Sequence, residues 1–70
     1  MNQNELSKIY FDASQRMRHY ITAFYDEYVH TDEGNPVDDL DKINKAILVL
    51  RQSMNIELDL IREAVKEYNE

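Results

Sequence analysis

The sequence predicts an all-α protein, an antiparallel helical hairpin of two long helices. Two observations support this fold class. Apolar residues recur at helical spacing through both halves of the chain. The only glycine and the only proline, Gly34 and Pro36, lie between those halves and predict a turn. Seventy residues make one domain, 1–70. The predicted bounds are about 5–30 for helix 1, 31–36 for the turn and about 36–68 for helix 2.

Helix 1 is predicted from one apolar sector. At about 100° per residue, nine residues fall within roughly 120° of the helical wheel. They are Leu6, Ile9, Tyr10, Ala13, Met17, Tyr20, Ile21, Phe24 and Tyr28. Asn4 is the predicted N-cap, because its side chain can accept from an early backbone N–H. His30 suits the negative end of the helix, and a left-handed Gly34 is predicted to terminate it.

Helix 2 is predicted to start at Asn35 and Pro36, as N-cap and first helical residue. Asp38 and Asp39 then fall in the first turn, where the helix dipole favours negative charge. A first apolar stripe follows: Leu40, Ile43, Ile47, Leu50, Met54, Leu58, Ile61, Val65 and Tyr68. A break at Gln52–Asn55 would give a third helix. Because the stripe continues in phase across that segment, a continuous or bent helix is the prediction.

Helix 2 also carries a second apolar line. Its members are Ala46, Val49, Ile56, Leu60 and Ala64, with Ser53 at the centre. The spacing is that of a coiled-coil seam. We expect this line to lie roughly opposite the first stripe, where helix 1 cannot cover it. The prediction is a dimer interface through Ala46, Val49, Ser53, Ile56 and Leu60, closing two hairpins into a four-helix bundle. The alternative is scattered surface hydrophobic residues, which are normal.

Charge and composition narrow the class of partner. The net charge is −6, and seven of the 14 acidic residues fall between Asp26 and Asp41, with no Lys or Arg among them. An acidic chain disfavours direct binding of nucleic acid through its phosphates. The absence of cysteine excludes disulfides. No secretion signal and no membrane-length apolar run are seen, so a soluble cytoplasmic protein is expected. So short a chain is marginal alone, which favours a homodimer or a bound partner.

Two groups of residues are candidate partner-binding sites. The acidic tip, Asp32, Glu33, Asp38, Asp39 and Asp41, is predicted to steer the chain toward a basic protein surface. Phe11, Arg18 and Tyr25 lie off the inner sector of helix 1 and have the composition of binding hot spots. An equally good interpretation places these three on the flank of a dimer interface.

Catalytic and metal chemistry is not expected. Among the His and acidic residues of helix 1, only Asp26 and His30 are close enough to bind one metal ion. The favoured interpretation of this polar face is a solvated surface with weak ion pairs. A calcium loop fails, because Val29 and Leu40 fall at two ligand positions when Gly34 is set at the sixth. No nucleophile has an orienting partner at a recognisable spacing. The prediction is therefore no enzyme activity, no cofactor and no metal.

One short segment resembles a known family. Asn55-Ile56-Glu57-Leu58-Asp59 is similar to the Ser-Gln-Glu-Leu-Asp signature of the Spo0E-like aspartyl-phosphate phosphatases, with three consecutive identities. Asn55 stands where that signature has serine, and the segment lies far from the turn. The resemblance implies a helical hairpin with Asp59 as the residue involved in activity.

The function predicted from these features is that of a small acidic regulatory or inhibitory protein. It would bind a larger protein, as a homodimer and without chemistry of its own. A purely structural oligomerisation module is the alternative from a different class. The phosphatase implied by the resemblance is the third hypothesis.

Overall fold

The computed structural model describes all residues, Met1–Glu70. Helix α1 spans Gln3–Phe24 and continues into one π-helical segment, Tyr25–Val29. Helix α2 spans Leu40–Asn69 and packs against α1, and there are no strands. The molecule is a flat slab of 49 × 20 × 8 Å. The predicted all-α hairpin of two helices is confirmed.

The N-terminal cap of α1 differs from the prediction. The side chain of Asn2, in an extended conformation, accepts a hydrogen bond from the backbone N–H of Glu5 at 2.8 Å. Asn4 lies inside the first turn, where its side chain does not cap. The choice of Asn4 was wrong because two asparagines lie within three residues, and either satisfies the local rule for an N-cap.

The C-terminal end of α1 is a wider turn than an α-helix makes. The backbone N–H of His30 donates to the carbonyl oxygen of Tyr25 at 2.7 Å, a bond across five residues. Gly34 has the predicted positive φ, +78°. It does not terminate the helix, however. It closes a separate turn in the loop, where its N–H donates to the Thr31 carbonyl at 2.9 Å.

Helix α2 begins four residues later than predicted. Its N-cap is Asp39, whose carboxylate accepts from the backbone N–H of Lys42 at 3.2 Å. The prediction of Asn35 and Pro36 was wrong because the loop is tied back to α1. The N–H of Val37 donates to the Tyr28 carbonyl at 2.8 Å, and the Thr31 hydroxyl donates to the carbonyl of Asn35. These bonds hold 31–37 outside the helix.

Helix α2 is unbroken from Leu40 to Asn69. The prediction of a continuous helix through Ser53 is therefore confirmed, and the three-helix alternative is excluded. The phase of the first apolar stripe had pointed to this result, because it runs without interruption from one end of α2 to the other.

The seam between the helices lies between the two apolar lines of α2. Residues facing α1 recur at a spacing of three or four residues: Ile43, Ala46, Leu50, Ser53, Glu57, Ile61 and Ala64. Ala46 and Ala64 are buried, as is Ala13 on α1. The expectation that α1 leaves the whole second line uncovered was wrong for these two alanines. The two lines lie next to each other on the helical wheel, not opposite, and α1 packs between them.

The hairpin has almost no core of its own. The buried apolar side chains are three alanines, whereas fourteen large apolar side chains are exposed. Val49 and Ile56 are each 61% exposed, and Leu58 of the first stripe is 51% exposed. Each line of α2 is thus covered only along the edge that meets α1.

Candidate partner-binding surfaces

A buried carboxylate sits at the centre of the seam. Glu57 is 3% exposed, and each of its carboxylate oxygens accepts one hydrogen bond from α1. Arg16 Nε donates to Oε1 at 2.7 Å, and the Tyr20 hydroxyl donates to Oε2 at 3.0 Å. The Arg16 side chain remains 46% exposed at the edge of the slab. This cluster fixes the axial position of α2 against α1.

The carboxylate also perturbs its two donors. The hydrogen bond to Glu57 raises the pKa of the Tyr20 hydroxyl above its usual range, with desolvation adding in the same direction. The same carboxylate raises the pKa of Arg16, again chiefly through the hydrogen bond. Both shifts favour the protonated donors that the cluster requires. The carboxylate is enclosed between the two helices, and its hydrogen bonds join α2 to α1.

The acidic tip forms a concave surface that is open to solvent. An open hollow of about 890 Å³ lies between the loop and the adjoining helix ends. Six carboxylate side chains line it: Asp26, Glu27, Asp32, Glu33, Asp38 and Asp39. We call this surface the tip hollow. Of the five predicted tip residues, four line it, and Asp41 lies outside it in the first turn of α2.

The acids of the tip hollow have no basic partner within the chain. The three ion pairs of the molecule are Arg16–Glu57, Arg62–Asp59 and Lys66–Glu63. Lys42 is the single basic residue in the lining of the hollow. The summed field of six uncompensated carboxylates on one concave surface attracts cations and basic side chains.

An apolar groove of about 440 Å³ adjoins the tip hollow. Its apolar lining comes from both helices: Tyr20, Ala23, Phe24, Tyr28, Ala46, Val49 and Leu50. Glu27 and Lys42 belong to the groove and to the hollow, so the two surfaces are continuous. We call it the tip groove. The sequence did not reveal it, because its position depends on which line of α2 meets α1.

A second, smaller groove lies on the same side of the slab toward the chain termini. Its volume is about 340 Å³, and it is lined by Met1, Ile9, Leu60 and Ala64 together with the charged residues Asp12, Arg16, Glu63 and Glu67. The predicted dimer residues are thus divided among several surroundings. Ala46, Val49 and Ser53 line the tip groove, and Ala46 is buried at its base. Leu60 lines the second groove, and Ile56 is exposed.

The predicted hot-spot residues form a stripe of their own. Phe11, Arg18 and Tyr25 recur at seven-residue spacing, are all exposed, and line none of the hollows or grooves. The Tyr25 ring stacks on His30, with ring centroids 5.9 Å apart. The structure therefore does not bring these three residues together with the acidic tip.

Asp59, which the phosphatase resemblance singles out, lies on the outer side of α2. Its carboxylate is exposed and bonds to Arg62 at 2.6 Å. The neighbouring Glu57 points the other way, into the seam. No group of three or more His, Cys, Asp or Glu side chains is arranged to hold a metal ion. Neither helix has an apolar stretch of the length needed to cross a bilayer.

Comparisons with protein-family models, with curated proteins and with solved structures found no significant match for this chain.

Proposed function

We propose that this protein is a small acidic interaction protein that binds a basic surface of a larger protein and thereby regulates or inhibits it. One observation carries the proposal. Six carboxylates line the tip hollow, and none of them forms an ion pair within the chain. Fixed charges of one sign on a concave surface raise the association rate and the specificity for a partner of opposite charge.

The adjoining tip groove supports a more specific kind of partner surface. The groove offers Phe24, Tyr28, Val49 and Leu50 to an apolar side chain, directly beside the acids of the hollow. A partner segment with lysine or arginine next to a large apolar residue would fill both. An apolar anchor surrounded by charge is the common arrangement of a binding hot spot.

We further propose that two hairpins associate as a homodimer, a four-helix bundle. Fourteen exposed large apolar side chains and a core of three alanines support this assembly. Chains this short ordinarily need a metal, a disulfide or a partner subunit for stability. The same exposed side chains favour the second candidate function, a module whose only role is oligomerisation. Recovery of a different protein bound to the tip distinguishes the two functions.

The test is co-purification from a native lysate with two charge-matched variants. The tip variant carries Asp32→Lys, Glu33→Lys and Asp38→Lys and leaves the capping residue Asp39 intact. The control variant carries Glu63→Lys, Glu67→Lys and Glu70→Lys, at the other end of the slab. Both change the net charge equally. We expect the wild type and the control to retain the same partner and the tip variant to lose it.

The partner's retention is also expected to fall as salt rises from about 0.05 to 0.5 M, because exposed charges are then screened. Circular dichroism establishes that both variants keep their helix content. Undiminished recovery of the same partner by the tip variant would refute docking through the tip hollow. Recovery of no protein other than this chain, by any of the three, favours the oligomerisation module.

A further inference from the structure

The two broad sides of the slab differ in chemistry. On α2, the residues directly before seam positions lie on the side of the tip groove, and they include Lys45, Val49 and Glu63. The residues directly after seam positions lie on the other side, because each step along a helix turns about 100°. The apolar ones among them, Ile47, Met54, Leu58 and Val65, lie next to the seam. Asn44, Arg51 and Arg62 lie farther round the helix, at the outer edge of this side.

Helix α1 contributes apolar residues to the same side. Tyr10 and Ile21, which directly follow the seam residues Ile9 and Tyr20, are 44% and 50% exposed. Their α1 counterparts on the groove side include Asp12 and Arg16. We call the surface formed by Tyr10, Ile21, Ile47, Met54, Leu58 and Val65 the apolar face. Val49 and Leu60 on the groove side are also exposed, but charged residues lie among them, whereas the apolar face adjoins the uninterrupted first stripe of α2.

The first stripe of α2, which borders this face, has apolar positions that are spaced symmetrically about Met54. From Met54, apolar residues lie 4, 7, 11 and 14 positions earlier and 4, 7, 11 and 14 positions later. The pairs so formed are Leu50 with Leu58, Ile47 with Ile61, Ile43 with Val65, and Leu40 with Tyr68. Met54 is also at the middle of α2, which spans Leu40–Asn69. A second α2 laid antiparallel over the first therefore matches every stripe residue with an apolar one.

A twofold axis that relates the two α2 helices in this way also relates the two α1 helices. Tyr20 lines the tip groove together with Ser53 and donates to Glu57, so the C-terminal part of α1 lies level with Met54. Met17 and Ile21 lie near that level on α1. An axis through Met54 and across both helices places α1 over the α1 of a second copy, again antiparallel. One rotation thus covers α2 and the C-terminal part of α1 at once, as an isologous interface requires.

Charge favours this orientation over the parallel one. With the axis across the helices, the two tip hollows lie at opposite ends of a bundle 49 Å long. With the axis along the helices, two sets of six unpaired carboxylates would lie side by side and repel. A face of 49 by 20 Å is also large enough for the roughly 800 Å² per partner that a standard interface buries.

We infer that the occupant of the apolar face is a second copy of this chain, related by a twofold axis through Met54 that runs across the helices. This inference deepens the proposed dimer and rests on it. It replaces the interface predicted from the second line of α2. Both tip hollows and both tip grooves stay free, because they lie at the ends and on the outer sides of the bundle.

Cysteine cross-linking tests the axis, since the chain has no cysteine of its own. Met54→Cys places two thiols across the axis, within the roughly 7 Å between Cα atoms that a disulfide spans. Ile56→Cys is the matched control, because Ile56 is exposed on the side of the second line. With diamide oxidising two thiols to one disulfide, we expect Met54→Cys to form covalent dimer at least about tenfold faster than Ile56→Cys.

A mixed experiment tests the direction. Ile47→Cys and Ile61→Cys chains, refolded together, are expected to cross-link to each other. Neither is expected to cross-link to its own copy, because positions 47 and 61 are about 21 Å apart along the helix. Each variant alone is the control. Circular dichroism confirms its helix content before oxidation.

Sedimentation of the unmodified chain separates the possible failures. A monomer at every concentration would overturn the dimer and the axis together. A dimer in which Ile56→Cys reacts fastest, or in which Ile47→Cys links to itself, would overturn the axis and leave the proposed dimer standing. A dimer with rapid Met54→Cys cross-linking and the mixed 47–61 product supports the inference. Docking through the tip hollow is decided separately, by the charge variants.

Discussion

Glu57 shows how one polar residue organises a seam that is otherwise made of small and apolar side chains. Both carboxylate oxygens are satisfied, one by Arg16 and one by Tyr20, so burial leaves no acceptor without a donor. A buried ion pair of this kind adds little net stability but is costly to break, because the remaining charge is then uncompensated. The seam position of Glu57, four residues after Ser53, would have revealed its burial once the seam was known. The apolar pattern alone does not predict that Glu57 is buried.

Removing one hydrogen-bond donor to Glu57 should therefore destabilise the hairpin more than removing one member of an exposed ion pair. We expect Arg16→Gln to lower the urea midpoint clearly, since Glu57 keeps only the Tyr20 hydroxyl. The control is Arg62→Gln, whose exposed pair with Asp59 contributes less than about 1 kcal/mol. The double variant Arg16→Leu with Glu57→Leu should recover most of the loss, because no charge is then buried. Equal midpoints for the two single variants, measured at one protein concentration, would contradict a structural role for the cluster.

At the scale of the elements, apolar periodicity was sufficient to predict two helices, a hairpin and an unbroken α2. It did not place the helix ends. Asn2 and Asn4 are equally good N-caps for α1 by local sequence, and so are Asn35 and Asp39 for α2. The N-cap of α2 is decided by a long-range hydrogen bond, from the N–H of Val37 to the carbonyl of Tyr28. Periodicity also did not tell which part of α2 meets α1. Since α1 packs between the two lines, the tip groove and the apolar face followed only from the three-dimensional arrangement.

The start of α2 can be tested by its cap. Asp39→Ala should lower the free energy of unfolding by about 0.5–2 kcal/mol, because the N–H of Lys42 loses its acceptor. Asp39→Asn is the control for charge, since asparagine caps equally well. Asn35→Ala should change stability by less than about 0.5 kcal/mol, as the bond from Thr31 uses the backbone carbonyl of Asn35. A greater loss from Asn35→Ala than from Asp39→Ala would place the cap where the sequence predicted it.

Across the whole molecule, the features divide the surface into parts with separate tasks. In the proposed assembly, the apolar face contacts a second copy, and the tip hollow with its groove binds a basic partner. The proposed twofold axis through Met54 would keep the two surfaces separate, because it would place the two tips at opposite ends. The resulting dimer would present two equal docking surfaces about 49 Å apart. A larger partner with two basic sites at that spacing would bind with greater avidity than one with a single site.

The arrangement of the tips can be tested without any partner. Neutralising the tip with Asp32→Asn, Glu33→Gln and Asp38→Asn should change the dimer dissociation constant no more than the matched control below does in 0.1 M salt. The reason is that each tip lies beside Glu67 and Glu70 of the second copy, whereas the two tips are separated by far more than the Debye length of about 10 Å. The control is the same number of neutral substitutions at Glu63, Glu67 and Glu70. Were the tips instead adjacent, neutralisation would relieve their repulsion and tighten the dimer severalfold, most strongly at low salt. Sedimentation equilibrium of the variants at two salt concentrations therefore distinguishes the two orientations.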